Sequence, residues 1–146
     1  MPSFASNFAA IKGAFFDRAA VTSAVDKGTK KALSRAGAFV RTRARSSIRS
    51  RKAVSAPGQP PSSHEGSLKR LLYFSWDAAA RSVVVGPVPF RRGVAPRLLE
   101  FGGPTTIGSR LGARSAFVRP RPYMKPAMDA ERPKLAEQFR DVISGV

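Results

Sequence analysis

The chain has 146 residues, room for one domain with a modest core, and its 42% hydrophobic content is ordinary for a globular protein. It contains no cysteine, which excludes disulfides and thiolate chemistry, and no apolar run approaches the ~20 residues that cross a bilayer. With 26 Lys and Arg against 9 Asp and Glu, its formal net charge of +17 makes copies repel one another and draws the chain toward anionic partners.

Phe4, Phe8, Ile11 and Phe15 recur at steps of four, three and four, which lays an apolar stripe along a helix, with Ser3 as its N-cap. Residues 1–19 therefore read either as a short helix on the chain's own core or as an arm that docks on a neighbouring subunit. Lys12 and Asp17 interrupt the stretch before a secretory h-region can form, although the acid-free, Ser/Ala/Phe-rich residues 1–16 also fit a transit peptide.

Residues 20–146 read as a single α+β domain. A long basic helix is expected over 20–51, with Val25, Ala32, Ala36, Phe39, Val40 and Ile48 near one face. Gly28 and Gly37 each cost about 1 kcal/mol relative to Ala inside a helix, and imply either close approach of another element or a bend. The segment ends with Arg41, Arg43, Arg45, Arg49, Arg51 and Lys52 and no acid between them, suited to the negative end of a helix dipole. A Pro-rich hinge follows at 55–66, where Pro57, Pro60 and Pro61 forbid both helix and central strand.

Beyond the hinge, Leu68, Leu72, Phe74 and Trp76 share one parity, with Arg70 the exception, and predict a strand. Asp77 to Ala80 is the turn, and Arg81 to Gly86 is a β-branched second strand completing an antiparallel hairpin. Pro87, Pro89, Gly93 and Pro96 mark a loop, Leu98 to Phe101 one helical turn, and Gly102-Gly103-Pro104 a stop. Thr105 to Gly112 reads as an exposed loop and Ala113 to Arg121 as a third strand returning to the sheet. Residues 126–143 read as a C-terminal helix packed on a sheet of three to four strands. Pro126 suits its first turn, and Pro133 predicts a kink near Ala130–Arg132. The expected core is Val25, Phe39, Val40, Leu72, Phe74, Trp76, Val83, Val85, Leu135 and Phe139.

Catalytic chemistry is not indicated, and no cofactor or metal is expected. His64 is the only histidine, and its neighbours Ser62, Ser63 and Glu65 point in different directions along an extended segment, unlike a triad assembled from distant parts of a fold. The acids are scattered, and neither a P-loop nor a GxGxxG fingerprint is present. The cations of Arg41–Lys52 wrap much of a helix instead of forming one stripe, and Asn and Gln for base readout are missing from the segment. Nucleic-acid contact would therefore run through phosphates without sequence preference. The alternatives for this face are an acidic protein neighbour and plain solvation.

Four stretches carry a resemblance to a known family. Phe16-Asp17-Arg18 with Leu33 to Arg41 resembles the opening helix of the tailed-phage tail-completion, or head–tail joining, proteins, which include a minor tail component of the neck. Ser55-Ala-Pro-Gly-Gln-Pro-Pro with Gly66 and Leu68 resembles their hinge into the first strand, and Ser82 to Pro87 with Leu99-Glu100-Phe101-Gly102-Gly103 resembles their sheet and Glu-Phe-Gly signature. Arg121-Pro-Tyr-Met-Lys-Pro-Ala-Met128 resembles the Arg-Pro-Phe-Met-x-Pro-Ala element that starts their last helix. Tyr123 stands where Phe is commoner, and Pro133 departs from the pattern.

The likeness spans residues 16–145 and implies a virion structural protein at the head–tail junction, passing through the host cytoplasm during assembly. It implies a homo-oligomeric ring, a hexamer or dodecamer, bound to neck, connector and tail-tube proteins, with non-specific contact to packaged DNA, no membrane and no catalytic residues. Glu100 and Phe101, a charged and aromatic pair before the Gly-Gly-Pro stop, are read as subunit contacts, and Arg41–Lys52 as facing an acidic ring neighbour or the DNA passage. The alternative is a sequence-neutral basic DNA- or RNA-binding protein.

Overall fold

A computed structural model describes residues 18–88, 95–108 and 112–143, without the side chains of Asp141 and Ile143. Phe4, Phe8, Ile11 and Phe15, and Pro89 and Gly93 of the expected loop, lie outside the described residues. The chain is mixed α+β: a long N-terminal helix, short antiparallel ladders and a C-terminal helical segment.

Helix α1, Arg18–Ser47, is 30 residues and so ~45 Å long. Its buried side is Ala32, Ala36, Gly37, Val40 and Ala44, a run of small residues that lets two other elements approach closely. On this helix lie both the β3–β4 hairpin (Leu72–Asp77 with Ser82–Pro87) and the C-terminal helices α4 (Met124–Glu131) and α5 (Leu135–Ile143). The C-terminal segment thus packs mainly on α1, not on a sheet as the sequence suggested.

The two interior glycines explain this placement. A Cβ on Gly37 would stand 2.5 Å from Val83 Cγ1 and 3.4 Å from Phe74 Cδ2, and one on Gly28 would collide with Val142 Cγ1. Close approach, not a bend, is what they serve. The consequence for the core is a correction: Val25 and Phe39 are each 47% exposed, and Phe74 is 36% exposed. The stripe of small residues, one position round the helix from Phe39, took the buried side instead. Val40 and Leu72 are buried as expected, while Trp76, Val83, Val85, Leu135 and Phe139 are half-buried. The core gathers Val40, Ala44 and Ile48 with Leu68, Leu72, Tyr123 and Ala127, at the C-terminal end of α1.

Helix α1 ends at Ser47, four residues before the expected 51. Ser46 Oγ donates to the Arg43 carbonyl and Ser47 Oγ to that of Ala44, both at 2.8 Å, a local alternative for carbonyls at the helix end. Strand β1, Arg49–Ser50, then pairs in parallel with β2, Ser62–Ser63, so the Pro-rich hinge folds back beside the helix. Pro61 is fully buried, and the Gly58 amide donates to the Pro120 carbonyl at 2.9 Å. The hinge is part of the packed body.

The expected strand over 68–76 starts only at Leu72, because Ser67–Arg70 forms a single helical turn, α2, after Gly66 at φ 74°. Arg70, the exception to the alternation, marks that turn. The hairpin register sets Phe74 opposite Val85 and Trp76 opposite Val83. Asp77 Oδ1 closes the turn by accepting from the amides of Ala79 (2.9 Å) and Ala80 (3.0 Å).

Helix α3, Ala95–Phe101, is longer than the single turn expected, and it stops at Gly102, whose φ of 71° is left-handed. The expected loop from Thr105 contains strand β5, Gly103–Ile107, which pairs antiparallel with β6, Arg114–Val118. The third strand therefore exists but joins its sequence neighbour, not the first hairpin. Nearby partners close with less loss of chain entropy than distant ones, and the result is three two-stranded ladders in place of one three- to four-stranded sheet. The kink expected near Ala130–Arg132 is present: Pro133 sits in a 3-10 turn, Arg132–Lys134, between α4 and α5. Among the described residues, no helix is long and apolar enough to cross a membrane.

Candidate functional site

The six cations of the basic segment divide into two groups. Arg41 Nε donates to the Leu72 carbonyl at 2.6 Å while its guanidinium lies 5.6 Å from the centre of the Tyr73 ring, pinning α1 to the hairpin. Arg43 is hydrogen-bonded and ion-paired with Glu131 of α4. Arg51 Nε donates to Ser62 Oγ at 2.8 Å across the β1–β2 ladder. The side chains of Arg45, Arg49 and Lys52 make no ion pair or hydrogen bond among the described residues. Half of the segment is thus structural, and half is available to a partner.

The Arg43–Glu131 pair has a titration consequence. The hydrogen bond from Arg43, helped by the charges of Arg43 and Lys134, holds the Glu131 carboxyl below its ordinary value despite its burial. Because α1 ends at Ser47, Arg49, Arg51 and Lys52 do not continue its helical faces. Arg43, Arg49 and Arg51 instead surround a polar cleft of about 440 Å³ with Ser46, Ser47 and Gln59. The cleft lies beside the carbonyl end of α1, and Glu131 neutralises Arg43, so its positive character comes from Arg49 and Arg51.

Glu100 and Phe101 end α3 facing opposite fates. The Glu100 carboxylate accepts three backbone hydrogen bonds at the start of α4: Oε2 from the amides of Tyr123 (2.9 Å) and Met124 (3.0 Å), and Oε1 from that of Lys125 (2.8 Å). Helix N-termini leave amides without intrahelical partners and carry partial positive charge, so a carboxylate suits that position. Phe101, by contrast, is 74% exposed. The capping role was missed in the sequence, yet it left a signal. Tyr123 at the N-cap supplies no side-chain acceptor and the first turn holds no acid, so an acceptor had to arrive from elsewhere.

Arg121 ties the same region together. Its amide donates to the Leu99 carbonyl at 2.6 Å, and its Nε to the Ser55 carbonyl at 2.9 Å. Hinge, α3 and the start of α4 therefore meet at one joint.

Tyr123 is 1% exposed within this joint, and burial, reinforced by the Glu100 charge, pushes its phenol up to about 12 from 10.0. A folded-state value above the unfolded one means that the unfolded chain releases this proton first as pH rises. The contribution is therefore intact below pH 10 and is lost between pH 10 and about 12. Compared with Tyr123→Phe, the native chain should lose about 2 to 3 kcal/mol of stability over that window. Urea unfolding of both proteins at each pH measures the difference, and parallel pH profiles would refute the assignment.

A second, apolar surface lies between β4, α3 and α4. Val40, Val83, Val85, Val88, Met124 and Met128 line an open groove of about 660 Å³, with Phe101 at its rim and Arg97 and Lys125 as its basic groups. Phe117, 71% exposed on β6, and Val84 on the outer face of the first hairpin add further uncovered apolar area. His64 is exposed, and the described residues contain no group of three acids and histidines placed to hold a metal ion. No protein-family profile, curated protein or solved structure matches the chain.

Proposed function

We propose that the chain is a structural protein of a tailed-phage virion that joins head and tail at the neck, by ring-forming contacts between copies and with neighbouring neck, connector and tail-tube proteins. It carries no catalytic role in this reading. The observation that supports it most is that three of the four stretches carrying the family resemblance interlock. Glu100 of the Glu-Phe-Gly stretch caps the helix begun by the Arg-Pro-Tyr-Met-Lys-Pro-Ala stretch, and Arg121 of the latter holds the Pro-rich hinge at Ser55. Residues that look like unrelated short motifs act as one joint, from which Phe101 projects into solvent.

A subunit that works by assembly needs surface that folding leaves uncovered, and Phe101, Phe117 and the apolar groove provide it. The +17 charge opposes contact between bare copies, so ring closure depends on acidic neighbours or DNA to neutralise it. Deleting the reading frame from the phage genome that encodes it should yield separate heads and tails, rejoined when the purified chain is added. Joined, infectious particles formed without it would end the proposal.

The unpaired Arg45, Arg49 and Lys52 favour a second reading, sequence-neutral nucleic-acid binding. Three phosphate contacts would give a log–log salt slope of about −2.7 on random duplex, and replacing all three cations with Ala should flatten it. Absence of binding at low salt would dismiss this reading.

A further inference from the structure

The apolar groove between β4, α3 and α4 has no cover among the described residues, and the chain carries a segment of matching dimensions. We propose that the groove receives the N-terminal stripe Phe4, Phe8, Ile11 and Phe15 of a second copy of the chain, laid in as an amphipathic helix. The inference rests on the self-association in the reading above and names the surfaces that produce it.

Length is the first argument. From Phe4 to Phe15 is eleven helical steps, ~17 Å at 1.5 Å per residue. The wall that β4 and the following Val88 give the groove, from Val83 to Val88, is five steps of extended chain, ~17 Å at about 3.3 Å per residue. Four anchors at helical spacing meeting a wall of valines and methionines is the general mode by which amphipathic helices enter apolar grooves. Methionine suits such a wall because its flexible, polarisable side chain moulds to aromatic rings, and Met124 and Met128 stand opposite β4.

Reach decides which copy supplies the stripe. Helix α1 meets the groove at Val40, ~33 Å along its axis from Arg18. A helix over residues 3–16 folded back along α1 from Arg18 would cover only ~20 Å. A helical stripe of the same chain therefore stops short of the groove, whereas that of a neighbouring copy has no such restriction. Each copy offers one stripe and one groove, a head-to-tail arrangement that closes into a ring when the rotation between copies permits.

The test uses the full-length chain, in a buffer of high ionic strength that screens its +17 charge, carrying the photo-crosslinker p-benzoylphenylalanine in place of Phe8 and prepared as an equal mixture of isotopically light and heavy protein. The expected result is crosslinks from position 8 to Val85, Met124 or Met128, half of them in mixed light–heavy pairs. Crosslinks only within single chains, crosslinks mapping elsewhere, or none at all overturn the inference. As a second readout, Phe8→Glu and Met128→Glu should each weaken self-association at least tenfold in sedimentation experiments. Met128 is partly exposed, so its replacement leaves the fold intact, as thermal unfolding would verify. A Met128→Glu chain that associates like the native one would also overturn the inference. Native association with crosslinks mapping elsewhere would remove this contact while leaving the joining role standing, and loss of head–tail joining in particles is measured separately.

Discussion

Glu100→Ala should lower the unfolding free energy by about 3 kcal/mol, with Glu100→Gln in between. The carboxylate accepts from three amides at the start of α4, and it does so from another helix, so its loss weakens tertiary structure as well as the cap. A missing N-cap costs up to about 2 kcal/mol, and loss of negative charge at the positive helix end up to about another 2 in partly buried settings. The two overlap, which keeps the expectation near 3. Gln keeps one oxygen acceptor but turns an amide donor toward the helix amides and removes the charge. Urea midpoints of the three proteins measure the series, and an Ala variant as stable as the native chain would contradict the capping role. Phe101→Ala separates the two halves of the pair: stability should change by less than about 0.5 kcal/mol, as for an ordinary surface site. Any fall in assembly would then report contact between subunits and not folding.

Gly37→Val should destabilise by a similar amount, about 3 kcal/mol, and Gly37→Ala by about 1 to 2 kcal/mol. On an isolated helix Ala would be favoured over Gly by about 1 kcal/mol, so the sign of the change is the informative result. In the folded chain the new Cβ meets Val83 Cγ1 at 2.5 Å, and a β-branched side chain in a strand has few rotamers into which to retreat. Overpacking therefore exceeds the propensity gain. Val83→Ala in the Gly37→Ala background removes the obstructing methyls, and the pair should be coupled by at least about 1 kcal/mol in a double-mutant cycle. Additive effects would mean that the hairpin does not rest on α1 at this point.

These two positions show where sequence reasoning ends. Interior glycines that cost helix stability announced that something other than propensity governed residues 28 and 37, but not which elements press there. Tertiary structure supplied Val142 and Val83. Likewise the absence of an acceptor at the start of α4 was legible locally, whereas Glu100, more than twenty residues earlier, is brought to it only by folding. The basic segment was legible as a composition of charge. Its division into internal ties and open cations was not, because it depends on Leu72, Glu131 and Ser62 arriving beside it.

Local physics settled much of the rest. Backbone restriction at proline set the hinge and the kink at Pro133, alternation and β-branching set the first hairpin, and helical spacing set the long α1. These features depend on neighbours within a few residues, so the sequence by itself determined them. Which strands pair, and which face of α1 is buried, are contests between distant partners. A stripe of small residues won the buried face from Phe39 because it admits two elements closely, and β6 joined β5 because its nearest complement was already in place. Such outcomes are set by total packing and loop entropy across the whole chain, and only the tertiary structure decided them.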